Sequence, residues 1–208
     1  MFGVILLLVV LILVCGVYVA AEFAAVGARR ERIRRLAESG NPFAQKLLPH
    51  ISDPVKLDRY ISACQIGISV SSLMLGAFGQ SKLANALAPA FERFGNLESA
   101  AAHSASAIVI LIVLTGGQMV FSELVPKALA LQYPTQCALL TIWPIKLSLA
   151  AFSWFIAILN GAARSVVRRL GGREIPETHV HSPEEIELLI ADSRDGGLLE
   201  PDEHRRLQ

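Results

Sequence analysis

The stretch YISACQIGISVSSLMLGAFGQS, Tyr60 to Ser81, contains no charged residue. A bilayer crossing needs about 20 consecutive, mostly apolar residues, and this run is long enough. Three other windows match it. Ser99 to Ser122 is also free of charge, Met1 to Ala28 carries only Glu22, and Ala128 to Ala163 carries only Lys146. Over the 208 residues, 53% are hydrophobic and 18% are charged, whereas a soluble domain carries about 25% charge. This excludes a purely soluble globular domain, a secreted disulfide scaffold and a disordered chain. The expected class is an all-α integral membrane protein.

Charge at the ends of the apolar runs sets the expected topology. Cytoplasmic flanks carry excess Lys and Arg, and the first run is followed at once by ARRERIRR, with Arg29, Arg30, Arg32, Arg34 and Arg35. A cleavable signal peptide has its positive charges before the apolar run, so this run reads as a retained span with its N-terminus outside. LAESGNPFAQKLLPHISDPVKLDRY, with breakers at Gly40, Pro42, Pro49 and Pro54, reads as short cytoplasmic helices. A second span, Asp58 to Phe78, then runs outward. GQSKLANALAPAFERFGNLESAAAHS reads as an outside loop, and a third span, Ala105 to Val125, returns inward.

The fourth run, Leu139 to Ala163, is long enough to cross. Crossing would put Arg164, Arg168, Arg169 and Arg173 outside, against the positive-inside bias. Pro144 and Lys146 interrupt it, and Trp143 and Trp154 favour the interface. The expectation is a long amphipathic helix lying near the cytoplasmic surface or dipping in without crossing, hence three crossings and not four.

Net charge is +1, but it averages two opposed segments. Arg29 to Arg59 holds eight Lys/Arg against four Asp/Glu, and Arg173 to Gln208 holds ten Asp/Glu against four Arg. The second segment opens with a Pro/His linker. Ser182-Pro183-Glu184-Glu185 then gives an N-cap, a first-turn proline and acids. The expectation is the start of a cytoplasmic acidic helical bundle from a chain that continues. Cys15, Cys64 and Cys137 lie in apolar runs with no metal-type spacing, and they read as packing residues. No nucleic-acid partner is expected.

The second span carries a stripe. Ser62, Gln65, Ser69, Ser72 and Gly76 follow at steps of three and four, so they share one helical face. Such a face serves helix packing or supplies neutral oxygen ligands to a hard cation. The third span, LTGGQMVFSELVPKALALQ, puts Thr115, Gln118 and Ser122 on one face. There Gly116-Gly117 loosens the helix, and Pro126 removes the hydrogen bond to the Ser122 carbonyl. Glu123 either pairs with Lys127 or serves an ion, since ionisable groups in spans are costly and mark function. Glu22 either pairs with one of the arginines that follow, caps a neighbouring helix, or joins Glu123 at the inner mouth of the same site. Oxygen donors beside one or two carboxylates suit Mg²⁺ or Na⁺, not zinc or copper.

Three elements in order, VAAEFAAVGARRERIRRLAESGNPFAQKLL, LDRYISACQIGISVSSLMLGAFGQ and FSELVPKALALQ with its following helix, resemble the transmembrane domain of the CorC/CNNM family. Its bacterial members are often labelled hemolysin-like. The resemblance implies a transmembrane domain over residues 1–170, with spans at 3–27, 58–78 and 105–125 and a juxtamembrane belt helix at 139–168. Residues 171–208 would be the cytoplasmic linker and truncated acidic bundle. It implies a homodimer in the lipid bilayer of the bacterial inner membrane, moving Mg²⁺, mainly outward, with Na⁺ as coupling ion. Carried over by position, the metal ligands are Ser69, Ser72 and Glu123, with Gly116, Gly117 and Ser122 lining the cavity and Ser62, Gln65 and Glu22 as additional candidates. Some relatives have a hydroxyl or amide where Ala20 and Ala21 stand beside Glu22. The family's nucleotide-binding CBS pair, expected downstream, is absent from this chain.

Two other readings are carried. One is a membrane-anchored Mg²⁺ sensor or scaffold that transports nothing. The other is a hydrolase with Ser122 as nucleophile and Lys127 as base; that spacing, with Pro126 between, is poor geometry for a dyad.

Overall fold

The computed structural model describes residues 2–95 and 98–169, all in helices and short connections. The acidic segment 171–208 lies outside the described residues. Helix α1 is Phe2–Gly27, α2 Arg30–Glu38, α3 Pro42–Ser52, α4 Pro54–Gly95 and α5 Ser99–Gln118. A π-helical turn, Met119–Leu124, joins α5 to α6, Val125–Gln132, and α7 is Pro134–Arg169. The compact unit that they form ends at Arg164.

Punctuation residues set the short helices. Gly40 adopts φ +91°, a left-handed value that glycine takes freely, and the Asn41 N–H closes back onto the Leu36 carbonyl at 3.0 Å. The Asn41 side chain then accepts from the Phe43 and Ala44 N–H groups, with Pro42 opening α3. Asp53 repeats the device for α4, accepting from Val55 at 2.9 Å and Lys56 at 3.3 Å, with Pro54 first in the helix. Pro49, by contrast, sits inside α3 and breaks nothing.

The outer connection differs from expectation. The sequence reading ends the second span at Phe78, but α4 continues through SKLANALAPAFERFG to Gly95, with Pro89 inside it. Its 42 residues give about 63 Å at 1.5 Å per residue, twice the hydrocarbon thickness of about 30 Å. The third helical run is longer too, starting at Ser99 and ending at Gln132.

Small side chains build the core. Ala21, Ala24 and Ala25 of α1 and Ala28 just after it pack with Ile33 and Ala37 of α2, Leu47 and Ile51 of α3, Tyr60 and Cys64 of α4, and Ala138, Ile142 and Ile145 of α7. At the other end of α1, Leu8 and Leu11 meet Leu75, and Gly79 lets α4 approach Leu114 and Leu8. The remaining surface is apolar, with Leu13, Ile112, Leu140 and Leu147 all exposed, as contact with lipid requires.

Helix α7 runs continuously through Pro144. It is anchored at both ends to the same end of the bundle. Ala138 and Ile142 sit in the cluster with α2 and α3, Lys46 lies 3.5 Å over the Trp143 ring, and Asn160 donates to Asp58 near the start of α4 at 3.1 Å. By length and hydropathy α7 is nonetheless as fit to cross a bilayer as the other three runs, so the helices give four candidates where the charge pattern gives three.

Candidate cation site

The stripe on α4 is divided among several partners. Ser62 donates to Asn160 at 3.3 Å, and Asn160 in turn donates to Asp58. This fastens α4 to α7. Gln65 reaches the Glu22 carboxyl on α1, so Glu22 meets an amide on the neighbouring helix and not an arginine. Ser69 is exposed, while Ser72 is half-buried at a three-helix junction. There Gln118 Nε2 donates to Ser72 Oγ at 2.7 Å, and Cys15 Sγ lies 3.6 Å from the same hydroxyl. Ser122, almost fully buried, donates to the Gln118 carbonyl at 2.6 Å.

The π turn explains why polar groups gather here. The helix passes through Gly116-Gly117 undisturbed, and the departure from α geometry falls after them, at Met119–Leu124. Val125 N–H bonds the Val120 carbonyl. The Phe121 carbonyl would need the N–H five residues on, and that residue is Pro126, which has none. This carbonyl faces α1: a Cβ added to Gly16 would stand 3.6 Å from the Phe121 oxygen and 3.0 Å from Pro126 Cγ. Glycine at 16 therefore allows the π turn to seat against α1, one residue from the Cys15–Ser72 contact. Cβ atoms at Gly116 or Gly117 would meet nothing within 4 Å. Those glycines leave bare backbone, not a tight helix contact.

Glu123 is exposed, and among the described residues it makes no ion pair. The i,i+4 pair with Lys127 does not form. Lys127 instead lies 4.5 Å over the Phe23 ring. The structure thus joins Ser72, Gln118 and Ser122 in one network and Gln65 with Glu22 in another. Ser62 belongs to helix docking, and no hydrogen bond brings Ser69 or Glu123 into either group. Among the described residues, no three His, Cys, Asp or Glu side chains gather in a way that would hold a metal ion. Any ion here must be held by hydroxyl, amide and carbonyl oxygens with single carboxylates, a donor set for hard cations.

Sequence reasoning set Gln118 on one face with Ser122 but did not name it among the site candidates, and it read Cys15 as a packing residue, which its burial fits. The signal for Gln118 was its place four residues before Ser122 in an otherwise apolar run.

Residues 6–203 match the cyclin M transmembrane N-terminal domain, CNNM. The chain belongs to the CNNM family. Similar proteins include the UPF0053 protein YhdT of Bacillus subtilis, 36% identical over 201 residues that cover 96% of this chain and 43% of YhdT. The UPF0053 protein YrkA of the same organism is 34% identical over 197 residues, covering 93% and 44%. The uncharacterized protein Rv1841c of Mycobacterium tuberculosis is 31% identical over 204 residues, covering 98% and 57%. This CNNM chain spans about half the length of the curated relatives it matches. With its apolar helices, the CNNM domain is a multi-pass membrane protein.

Proposed function

We propose that this CNNM domain carries Mg²⁺ through the membrane, binding it where α1, α4 and the π turn meet. The observation that carries the reading is the partly buried Ser72–Gln118–Ser122 network beside a backbone carbonyl that Pro126 leaves free. Mg²⁺ demands near-octahedral oxygens at about 2.0–2.1 Å and sheds water reluctantly. Ser72, the Gln118 amide oxygen and the Phe121 carbonyl replace part of the hydration shell. Ser69 and Glu123 approach from the open side, with Gly116 and Gly117 keeping that side clear, and Glu123 supplies the charge that neutral ligands lack. Na⁺ carries half the charge of Mg²⁺, so competition at these oxygens couples the two fluxes in an alternating-access cycle directed outward.

Three crossings are supported by α7. Ala138 and Asn160 are about 33 Å apart along a helix at 1.5 Å per residue, yet both touch elements at the Arg-rich end of α1. A helix anchored at both points lies along that face as a belt. With Arg29 to Arg35 on the same side, the positive-inside bias makes it the cytoplasmic face of the bacterial inner membrane. A homodimer is supported by Gln65, Ser69 and Glu123, polar groups exposed on spans where lipid contact is costly; a second copy covers them.

The test is Mg²⁺ flux in proteoliposomes beside calorimetric Mg²⁺ binding, for wild type, Ser72→Ala, Gln118→Ala and Glu123→Gln. Loss of a ligand costs about tenfold or more in affinity, and flux is expected to fall with it while the dimer persists on size exclusion. Wild-type binding without flux would replace the transporter with a membrane-anchored sensor. Undiminished binding in all three variants would remove the ion from this junction.

A further inference from the structure

A second feature lies away from the junction, where the start of α4 meets α7. His50, Lys56 and Arg59 line a groove of about 290 Å³ together with Leu149, Ser153 and Ile156. Its apolar lining is backed by a cluster in which Ile156 packs with Ala63 and Ile66, flanked by Leu149 and Phe152. Lys146 adds positive charge toward His50.

The nearby carboxylates do not cancel this charge. Asp58, which accepts from the Asn160 amide, and Asp53 set two negative charges against the three positive ones of Lys56, Arg59 and Lys146. Asp53 pairs with Lys56 at 3.4 Å in an exposed i,i+3 contact, a kind of pair that contributes little and yields to competitors. Among the described residues Arg59 has no ion pair.

We propose that this groove binds an anionic phospholipid, its headgroup phosphate held by Lys56, Arg59 and His50 and an acyl chain lying over Leu149 and Ile156. The chemistry is amphiphilic at the scale of one lipid. Basic side chains from α3 and the start of α4 and apolar side chains from α7 line one groove. Basic pockets between helices on the cytoplasmic side suit acidic headgroups. A free phosphate would use the cations and leave the apolar lining without a function. The proposal does not depend on the ion junction, which shares no residue with it.

The test is native mass spectrometry of the intact chain in detergent, titrated with phosphatidylglycerol, with phosphatidylcholine of the same acyl chains, and with glycerol phosphate. A first, saturable phosphatidylglycerol step is expected, at least tenfold tighter than phosphatidylcholine. Each basic residue near a membrane surface is worth about a fivefold change in affinity. The Lys56→Gln/Arg59→Gln variant is therefore expected to weaken that step about thirtyfold. Ser153→Phe, which fills the groove, is expected to weaken it without changing charge. Arg30→Gln/Arg34→Gln, with the same loss of charge elsewhere, should leave it unchanged. Equal affinity for the two lipids would overturn the proposal, and so would an equal loss in the Arg30/Arg34 control. Glycerol phosphate binding as tightly as the lipid would replace a lipid site with a phosphate site. Circular dichroism of each variant separates loss of the site from loss of the fold.

Discussion

At the scale of single residues, glycines in this domain do different work at different positions. Gly67 is the sharpest case, because a Cβ there would overlap the Tyr18 ring. That ring carries a hydroxyl 2.6 Å from Ser148 Oγ, whose own proton goes to the Pro144 carbonyl, so Tyr18 is the donor. One glycine thus seats an aromatic ring that fastens α1 to α7. Gly67→Ala is expected to displace the ring and cost about 1–3 kcal/mol, the usual range for overpacking, read as a lowered unfolding midpoint in detergent. Tyr18→Leu on that background should recover part of the loss, since the two changes share a contact and are not additive. Gly116 and Gly117 looked equally telling in the sequence, yet nothing stands near them. Spacing placed Ser72 and Ser122 on the right faces. It did not show that Ser62 would be taken up by Asn160, because partners 98 residues apart are chosen by packing.

At the scale of elements, the π turn is the feature that most alters the chemistry. Pro126 was legible as the loss of a donor. The position of the distortion was not, because Gly116-Gly117 offered a weaker place for it and only the seat against Gly16 fixes it at Met119–Leu124. An i→i+5 turn holds one residue more than an i→i+4 turn. Deleting Val120 should therefore restore α geometry while α5 and α6 keep their phase. Helix content by circular dichroism is expected to hold, and Mg²⁺ affinity to drop about tenfold, the scale of a lost ligand. Unchanged affinity would take the free carbonyl out of the proposed site. The length of α4 was misread for a related reason. Gly79 looked like a loop start, but it lies where α4, α5 and α1 converge, and a missing side chain is what that contact needs.

At the scale of the whole molecule, the Arg-rich end is held together by α2, α3, the start of α4 and α7, and His50 sits among them. Burial, then the positive charges of Lys146 and Lys56, hold its imidazole below the ordinary histidine range. Arg59, on the same groove, adds to that positive side. The folded state therefore resists taking up a proton that the unfolded chain accepts below about pH 6.5. The sign follows: this contribution is complete above that value and is lost as pH falls through the lower folded value. Unfolding midpoints should drop between about pH 7.5 and 5.5, and His50→Gln should flatten that slope.

The sequence by itself determined the class. Charge-free runs of span length admit only a membrane protein, because backbone and apolar side chains must be satisfied without water. It also determined the short helices, since Asn41-Pro42 and Asp53-Pro54 act through bonds only two or three residues long. Only the tertiary structure decided which polar residues meet. Gln118 reaches Ser72 across 46 residues of sequence, Gln65 turns to Glu22, and Glu123 is left exposed while Lys127 lies over the Phe23 ring. Periodicity fixes the face a side chain occupies. Which helix stands opposite that face depends on packing over the whole bundle.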